Sequence, residues 1–206
     1  VIFGIAGSHR SGKTTLAKAV AEDLGIKFVS QSFGEAARRH GVDPVSPMTL
    51  LDRVRIQQTV LDEHIDLVRD TTEMIIVDRT PVDMLAYLLA EFHMQSHLAV
   101  PEPILDLVHQ YKWLAIQSTG TYYDNLFVVQ PLDTYAAEEG KPAINRAYQD
   151  HIQLLIDGAC MSLESEVSLN WINTGDFEER RAAMSGVIVK RLDELDAMRK
   201  SSAHIH

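Results

Sequence analysis

Two glycines, a lysine and a threonine stand at telling intervals near the start of the chain, in Gly7-Ser8-His9-Arg10-Ser11-Gly12-Lys13-Thr14. The pattern G-x-x-x-x-G-K-T is that of a loop that cradles nucleotide phosphates. Its donors are backbone N–H groups and the N-terminus of the next helix, which are otherwise unpaired and carry the positive end of a dipole. In such a loop Lys13 reaches the β- and γ-phosphates, and the Thr14 hydroxyl ligates magnesium. The candidate nucleotide contacts are therefore Gly7, Ser8, His9, Arg10, Ser11, Gly12, Lys13, Thr14 and Thr15.

A second candidate is the carboxylate that closes Ile75-Ile76-Val77-Asp78-Arg79. An apolar run ending in aspartate places a carboxylate at a strand's C-terminal edge, where ligands of such sheets gather. Asp78 there either holds magnesium through water or accepts a proton from the phosphoryl acceptor, and the sequence leaves both open. Arg79 can steady a phosphoryl group. A third candidate is the polar stretch 130–146, with Glu138-Glu139-Gly140-Lys141-Pro142 inside it. It suits a lid that closes over phosphates, with Lys141 and Arg146 as its cations.

These residues need elements to position them. Val1–Ala6 reads as a buried strand and Thr15–Leu24 as a helix capped by Gly25. Ile26–Ser30 is a second strand, and Glu35–His40 a short helix closed by Gly41. Asp43-Pro44 marks a turn. Ser46 and Pro47 predict the N-cap and first position of a helix running to about Asp70. Arg53, Gln57 and His64 form a polar strip on that helix, the pattern of a solvated face. Glu73–Asp78 is the strongest strand. Thr80-Pro81-Val82-Asp83 is a capping box that opens a helix through about Met94. A helix over 104–118 ends before Gly120, and Asn125–Val129 is the fourth strand. Helix 146–163, strand 167–173 and helix 176–198 complete the chain. The alternation predicts an α/β fold: a single domain over 1–206, with a doubly wound, five-stranded parallel sheet whose first strand is near the middle.

Composition narrows the class. The chain has 206 residues, 46% of them hydrophobic, enough for one core. A formal net charge of −10 argues against broad nonspecific binding to nucleic acid and suits a cytoplasmic protein. The single cysteine, Cys160, excludes a disulfide framework or cysteine-based zinc cluster and falls in an apolar helical pattern, as a buried inert thiol would. No apolar run is long enough to span a bilayer. The chain opens directly into a strand, so no signal peptide is expected ahead of it. His93 and His97 share a helix face without the glutamate of a zinc-protease motif, so a solvated pair is expected. The tail from Ser201 to His206 is expected to be frayed.

The order of these motifs resembles a P-loop kinase family. The phosphate loop is followed by Asp-Arg-Thr-Pro-Val-Asp-Met-Leu-Ala-Tyr from Asp78 to Tyr87, Tyr123-Asp124 before the fourth strand, and a lid leading to Arg146. The chain is similar to the ribosylnicotinamide-kinase-like and deoxynucleoside-kinase-like group, especially small phage-encoded members labelled AAA ATPases or nucleotide kinases. Some of these act on hydroxymethyluracil in phage DNA. The likeness implies ATP·Mg2+ as donor and a nucleoside, nucleotide or nucleobase hydroxyl as acceptor, with DNA among the candidates. It places Asp83 and Tyr87 on the acceptor side and Gly175 near adenine. In the lid the family's Asp-Gly-x-Arg is replaced by Glu139-Gly140-Lys141-Pro142, a departure that leaves Arg146 the better candidate for the family's lid arginine. The acceptor is expected between the region 28–40, the Arg53/Gln57 helix face and the Asp83 helix. Arg38, Arg39, Arg53 and Arg55 would supply a phosphate-binding surface for a polymer. A regulatory switch would carry Asp-x-x-Gly and Asn-Lys-x-Asp, and neither occurs in the chain. A remodelling ATPase, the other alternative, normally adds a helical domain for which there is little room.

Overall fold

The computed structural model describes residues 1–43, 46–95, 99–132, 145–163 and 165–203. Pro44, His97, most of the lid segment with Lys141, and the last three residues lie outside them, as do the expectations placed there.

Twelve elements alternate along the chain. They are β1 (Ile2–Ala6), α1 (Lys13–Leu24), β2 (Lys27–Ser30), α2 (Phe33–Arg39), α3 (Leu50–Asp70), β3 (Ile75–Asp78), α4 (Pro81–Gln95), α5 (Glu102–Tyr122), β4 (Asn125–Val129), α6 (Arg146–Met161), β5 (Ser168–Ile172) and α7 (Phe177–Ala203). The sheet has five strands in the order β2-β3-β1-β4-β5, all parallel. Every residue of β1, β3 and β4 is buried, which is why their sequences read as apolar runs apart from Asp78 and Asn125 at strand ends. Phe3, Ile5, Ile76 and Phe127 pack on one face with Leu16, Val20, Met184 and Ile188 of α1 and α7. Ile2, Val77, Leu126 and Val128 pack on the other with Ala86, Ile152 and Ile156 of α4 and α6. A third cluster, around Leu61, Leu85, Leu88 and Tyr111, joins α2 and α3 to α4 and α5.

All five strands point the same way, so the segments after β1, β2, β3, β4 and β5 open at one edge of the sheet. That edge holds the phosphate loop, Gln31, Asp78, Gln130 and Thr174.

Several boundaries depart from the sequence reading, and α7 continues as helix through Ser201 and Ser202 to Ala203, where the sequence reading expects a frayed tail. Helix α3 begins at Leu50, because Thr49 makes the capping box. Its Oγ1 accepts from the Asp52 N–H at 3.2 Å and donates to the Asp52 carboxylate at 2.6 Å. Ser46 instead donates to the Asp43 carboxylate and closes a turn. Helix α5 spans Glu102–Tyr122, since Pro103 sits in the first turn where no N–H is required, and it runs straight through Gly120. A Cβ on Gly120 would come within 3.1 Å of Glu166 Cβ, so this glycine serves packing and does not end the helix. The strip on α3 is also misread. Gln57 and His64 are 3% and 0% exposed, because α3 is covered by α4 and α5. Cys160 is buried as expected, and burial pushes its thiol well above the ordinary range.

Gly4 in β1 faces the ring of Tyr123. A Cβ there would lie 2.7 Å from two ring carbons and 2.9 Å from Leu126 Cδ1. Gly4→Ala is expected to lower the unfolding free energy by about 2 kcal/mol through overpacking. Urea denaturation measures it, and an unchanged midpoint would contradict this packing of Tyr123 on β1.

Candidate active site

The phosphate loop takes its shape from residues that tolerate unusual backbone and from side chains that reach it from other elements. Gly7 has φ 154°, and a Cβ there would fall 2.5 Å from the Val129 carbonyl oxygen. Gly12 caps α1 with φ 84°, and Arg10 sits in the left-handed region at φ 59°. The Gly7 N–H donates to Asp83 Oδ1 (3.0 Å), and the Ser8 N–H to Gln153 Oε1 (2.9 Å). Gln149 donates to the His9 carbonyl (2.9 Å) and Arg180 to the Ser11 carbonyl (2.7 Å). Arg180 also donates to the carbonyls of Gln130 and Thr174, tying three loops of the sheet edge together. Gly7 and Ser8 thus spend their N–H groups on holding the loop. The first N–H groups of α1, from Lys13 on, have no acceptor within the helix and remain for an anion.

Lys13 lies at the centre of the charge balance. Its Nζ donates to the carbonyls of Gly7 (2.5 Å) and Ser8 (2.8 Å). Burial pushes its pKa down, Asp83 and Asp78 pull it back up, and Arg79 adds to the lowering. Burial pushes the Asp83 carboxyl up, against Lys13, Thr80 and the Gly7 N–H. Both oxygens of Asp83 are taken, Oδ1 by Gly7 and Oδ2 by the Thr80 N–H and hydroxyl. Thr14 Oγ1 donates to Asp78 Oδ2. Arg79 has φ 81°, and its guanidinium stands 5.7 Å from the centroid of Tyr87. That strained backbone directly follows Asp78, at the kind of position where strain gathers in functional sites.

A cavity of about 930 Å³ opens over this edge, a size suited to a small ligand. His9, Arg10, Ser11, Gly12, Lys13, Thr14 and Thr15 line it, as do Asp78, Arg79, Asp83 and Tyr87. Beside it lies a slot between Phe33, Val60, Met84 and Tyr87 with Gln57 and Glu91 on its polar side. Arg79 and Tyr87 border both spaces.

Six expected site residues are not among those lining the main cavity. Arg53 is ion-paired with Glu91 at 3.3 Å, and Gln57 faces the slot. Gly175 is exposed beside Thr174. Arg146 is exposed at the start of α6, while its neighbours Asn145 and Tyr148 line the cavity. Gly7 and Ser8 lie buried beneath the loop.

The site also has residues that the sequence reading passed over. Gln149 and Gln153 lie one turn apart on the buried side of α6, and a pair of glutamines among Ile152 and Ile156 was the available signal. Arg180 gave none. His64, on α3, joins Gln31 of the cavity wall to the core. Its Nδ1 lies 2.8 Å from Gln31 Oε1 and its Nε2 lies 2.6 Å from the Tyr123 hydroxyl. Burial holds its pKa down to about 4.

The donors present suit a nucleotide phosphate with magnesium. Ser8 Oγ, Ser11 Oγ and His9 Nδ1 are buried with no hydrogen-bond partner among the described residues, and an anion in the loop gives such groups a partner. The Thr14 hydroxyl and Asp78 carboxylate are hard oxygen ligands. Among the described residues no group of three or more His, Cys, Asp or Glu could cage a metal ion. Two protein oxygens supplemented by phosphates and water are what Mg2+ ordinarily accepts.

The sheet order, the loop after the central strand and the carboxylate at the next strand's end define a P-loop protein with the fold of the nucleoside and nucleotide kinases. A family profile described as an AAA domain matches residues 3–180, and the chain belongs to that family. Among solved structures it resembles deoxyadenosine kinase from M. mycoides with bound dCTP, with a TM-score of 0.62 and 11% identity over 94% of this chain and 100% of that one. It resembles thymidylate kinase from Ehrlichia chaffeensis, with a TM-score of 0.61 and 13% identity over 91% and 97%. It also resembles NadR protein in complex with NAD and AMP-PNP, with a TM-score of 0.56 and 15% identity over 90% of this chain and 49% of that one. These likenesses establish the fold. No curated protein sequence matches the chain. No helix among the described residues is long and apolar enough to cross a membrane.

The buried His64 makes stability depend on pH. Its folded pKa of about 4 lies below the ordinary 6.5, so its contribution is complete above about 6.5 and is lost as pH falls toward 4. From about pH 7 to about pH 5 the unfolding free energy is expected to drop by about 2 kcal/mol on this account. The difference between the parent and a folded His64→Gln variant in urea titrations at the two pH values measures it. Identical pH slopes would contradict a neutral, desolvated His64.

Proposed function

We propose that the protein is a kinase that transfers the γ-phosphoryl group of ATP to a hydroxyl of a nucleoside, nucleotide or nucleobase-type acceptor. The observation that carries this reading is the span of the main cavity, which runs from the phosphate loop past Asp78 to Ser30, Gln31 and Ser32. Lys13, Thr14 and Asp78 gather at its phosphate end, Gln31, Arg79 and Tyr87 line the space beyond, and a small slot of about 60 Å³ with Gln57 and Glu91 adjoins it. A hydrolytic switch or motor has no use for the space beyond the phosphates. An acceptor in the main cavity would rest against Arg79 and Tyr87, which also border the slot that holds Gln57 and Glu91.

Each residue then has a task. The N–H groups of α1's first turn and Lys13 hold the donor phosphates. Thr14 and Asp78 would hold Mg2+, which would supply positive charge against the negative charge developing in transfer. Alternatively, Asp78 would take the acceptor's proton. Arg79 stands between the two halves, where negative charge develops in transfer. Asp83 acts through Gly7, as a positioning residue for the loop. The neighbours' bound ligands, a deoxynucleoside triphosphate in one case and NAD with an ATP analogue in another, support a nucleotide-type acceptor.

Hydroxymethyluracil in DNA is one acceptor within this class, and the free nucleoside or nucleotide is the other. Ion pairing favours the free acceptor. Arg39 is engaged by Glu63 and Arg53 by Glu91, which reduces the positive surface available to a polymer.

Phosphate transfer from labelled ATP, screened over nucleosides, nucleotides and hydroxymethyluracil DNA across a salt series, tests the proposal. The expected result is acceptor-dependent ADP formation that changes little with salt. Affinity for DNA that falls steeply with salt would assign the polymer instead. Lys13→Ala is expected to lower transfer about a hundredfold or more. Asp78→Asn should reduce the catalytic rate more than ATP affinity. Rescue by excess magnesium would mark a metal role, and lack of rescue the proton-accepting one. Unchanged rates in folded variants would remove these residues from the mechanism.

A further inference from the structure

Gln31 follows β2 directly and lines the main cavity. In the order β2-β3-β1 it stands on the far side of Asp78 from the phosphate loop, on the acceptor half of the edge. A carboxamide offers either a lone pair or an N–H2 group to such a cavity. Its two ends are alike in shape, so hydrogen bonding decides which end faces inward.

His64 and Tyr123 decide it here. Gln31 Oε1 is 2.8 Å from His64 Nδ1, and His64 Nε2 is 2.6 Å from the Tyr123 hydroxyl. Their rings lie nearly parallel, at 8°. His64 is 0% and Tyr123 4% exposed. A neutral imidazole has one donor and one acceptor nitrogen, which allows two arrangements. In the first, Tyr123 O–H donates to Nε2, and Nδ1–H donates to Gln31 Oε1. In the second, Nε2–H donates to the Tyr123 oxygen, and Nδ1 accepts from the Gln31 amide. The second leaves the Tyr123 hydroxyl proton in the core with no acceptor among the described residues, and a buried orphan donor is costly. The first satisfies every proton. Tyr123 cannot swing away to escape this, since its ring is seated on Gly4.

We propose that the Tyr123–His64 pair fixes the polarity of Gln31, so that this point of the acceptor half presents Nε2–H2 and selects a ligand offering an oxygen or nitrogen lone pair there. Carbonyl, ether and hydroxyl oxygens qualify, and a group that can only donate does not. Gln31 is a specificity-determining residue on this account, and His64 and Tyr123 are positioning residues. The ligand half of the proposal rests on the kinase reading, whereas the proton arrangement stands independently of it.

Two measurements test it. Long-range proton–nitrogen correlation spectra of the full chain report the His64 tautomer. The expected result is protonated Nδ1 in the parent, and loss of that single tautomer in Tyr123→Phe. Protonated Nε2 in the parent overturns the proposal. In transfer assays, Gln31→Glu keeps the shape but replaces the donor with an acceptor. Acceptor KM is expected to rise about tenfold with ATP KM unchanged, and Tyr123→Phe should shift acceptor KM in the same direction. Unchanged acceptor KM in Gln31→Glu overturns the selection claimed for Gln31. Absence of transfer from the parent to any acceptor counts against the kinase reading, and the tautomer then still decides the relay.

Discussion

A turn that wraps an anion exposes its N–H groups to the ligand and buries its carbonyls and its flanks, where each unpaired group costs about 1–3 kcal/mol. Local hydrogen bonds cannot satisfy all of them. Asp83, Gln149, Gln153 and Arg180 supply the difference, from three helices remote in sequence. Much of the remaining architecture serves to bring these four side chains to the loop. Helix α4 must start immediately after β3 to place Asp83. Helix α6 must lie on one face of the sheet, and α7 must lie on the other. The sheet order with β1 in the middle satisfies all three demands at once.

Charge imposes a second constraint. Lys13, Arg79, Asp78 and Asp83 share a partly desolvated space, where each ion is costly alone and tolerable only beside its opposites. Lys13 rests on two loop carbonyls, which are neutral acceptors. An arriving phosphate offers it a charged one, which makes a stronger bond. The same side chain can therefore hold the loop before binding and the ligand after it, with little displacement.

Sequence carried the frame well, for physical reasons. Strands buried on both faces are largely apolar, so β1, β3 and β4 stood out. Gly25 and the Thr80–Asp83 box mark real helix ends because backbone groups at those points need them. The loop was legible because glycine and lysine there answer to local geometry. The rest depends on contacts between residues far apart. Arg180 reaches Ser11 across 169 positions, and nothing near either residue announces it. Gln57 and His64 read as solvated because polarity was taken for exposure, whereas α4 and α5 cover them. Thr49 outcompeted Ser46 as a cap because Asp52 could reciprocate. Arg146 carried the right charge in the right stretch, yet it is exposed outside the cavity lining, and only assembly of the helices reveals that.

Amide hydrogen exchange resolved by residue, without and with ADP, measures most directly whether the loop is built in advance for a nucleotide. Gly7 and Ser8 should be protected in the free protein, because Asp83 and Gln153 already hold their N–H groups. Lys13, Thr14 and Thr15 should exchange quickly in the free protein and gain protection when ADP is added. Rapid exchange at Gly7 and Ser8, or no gain in the first turn of α1 with ADP, would contradict the account.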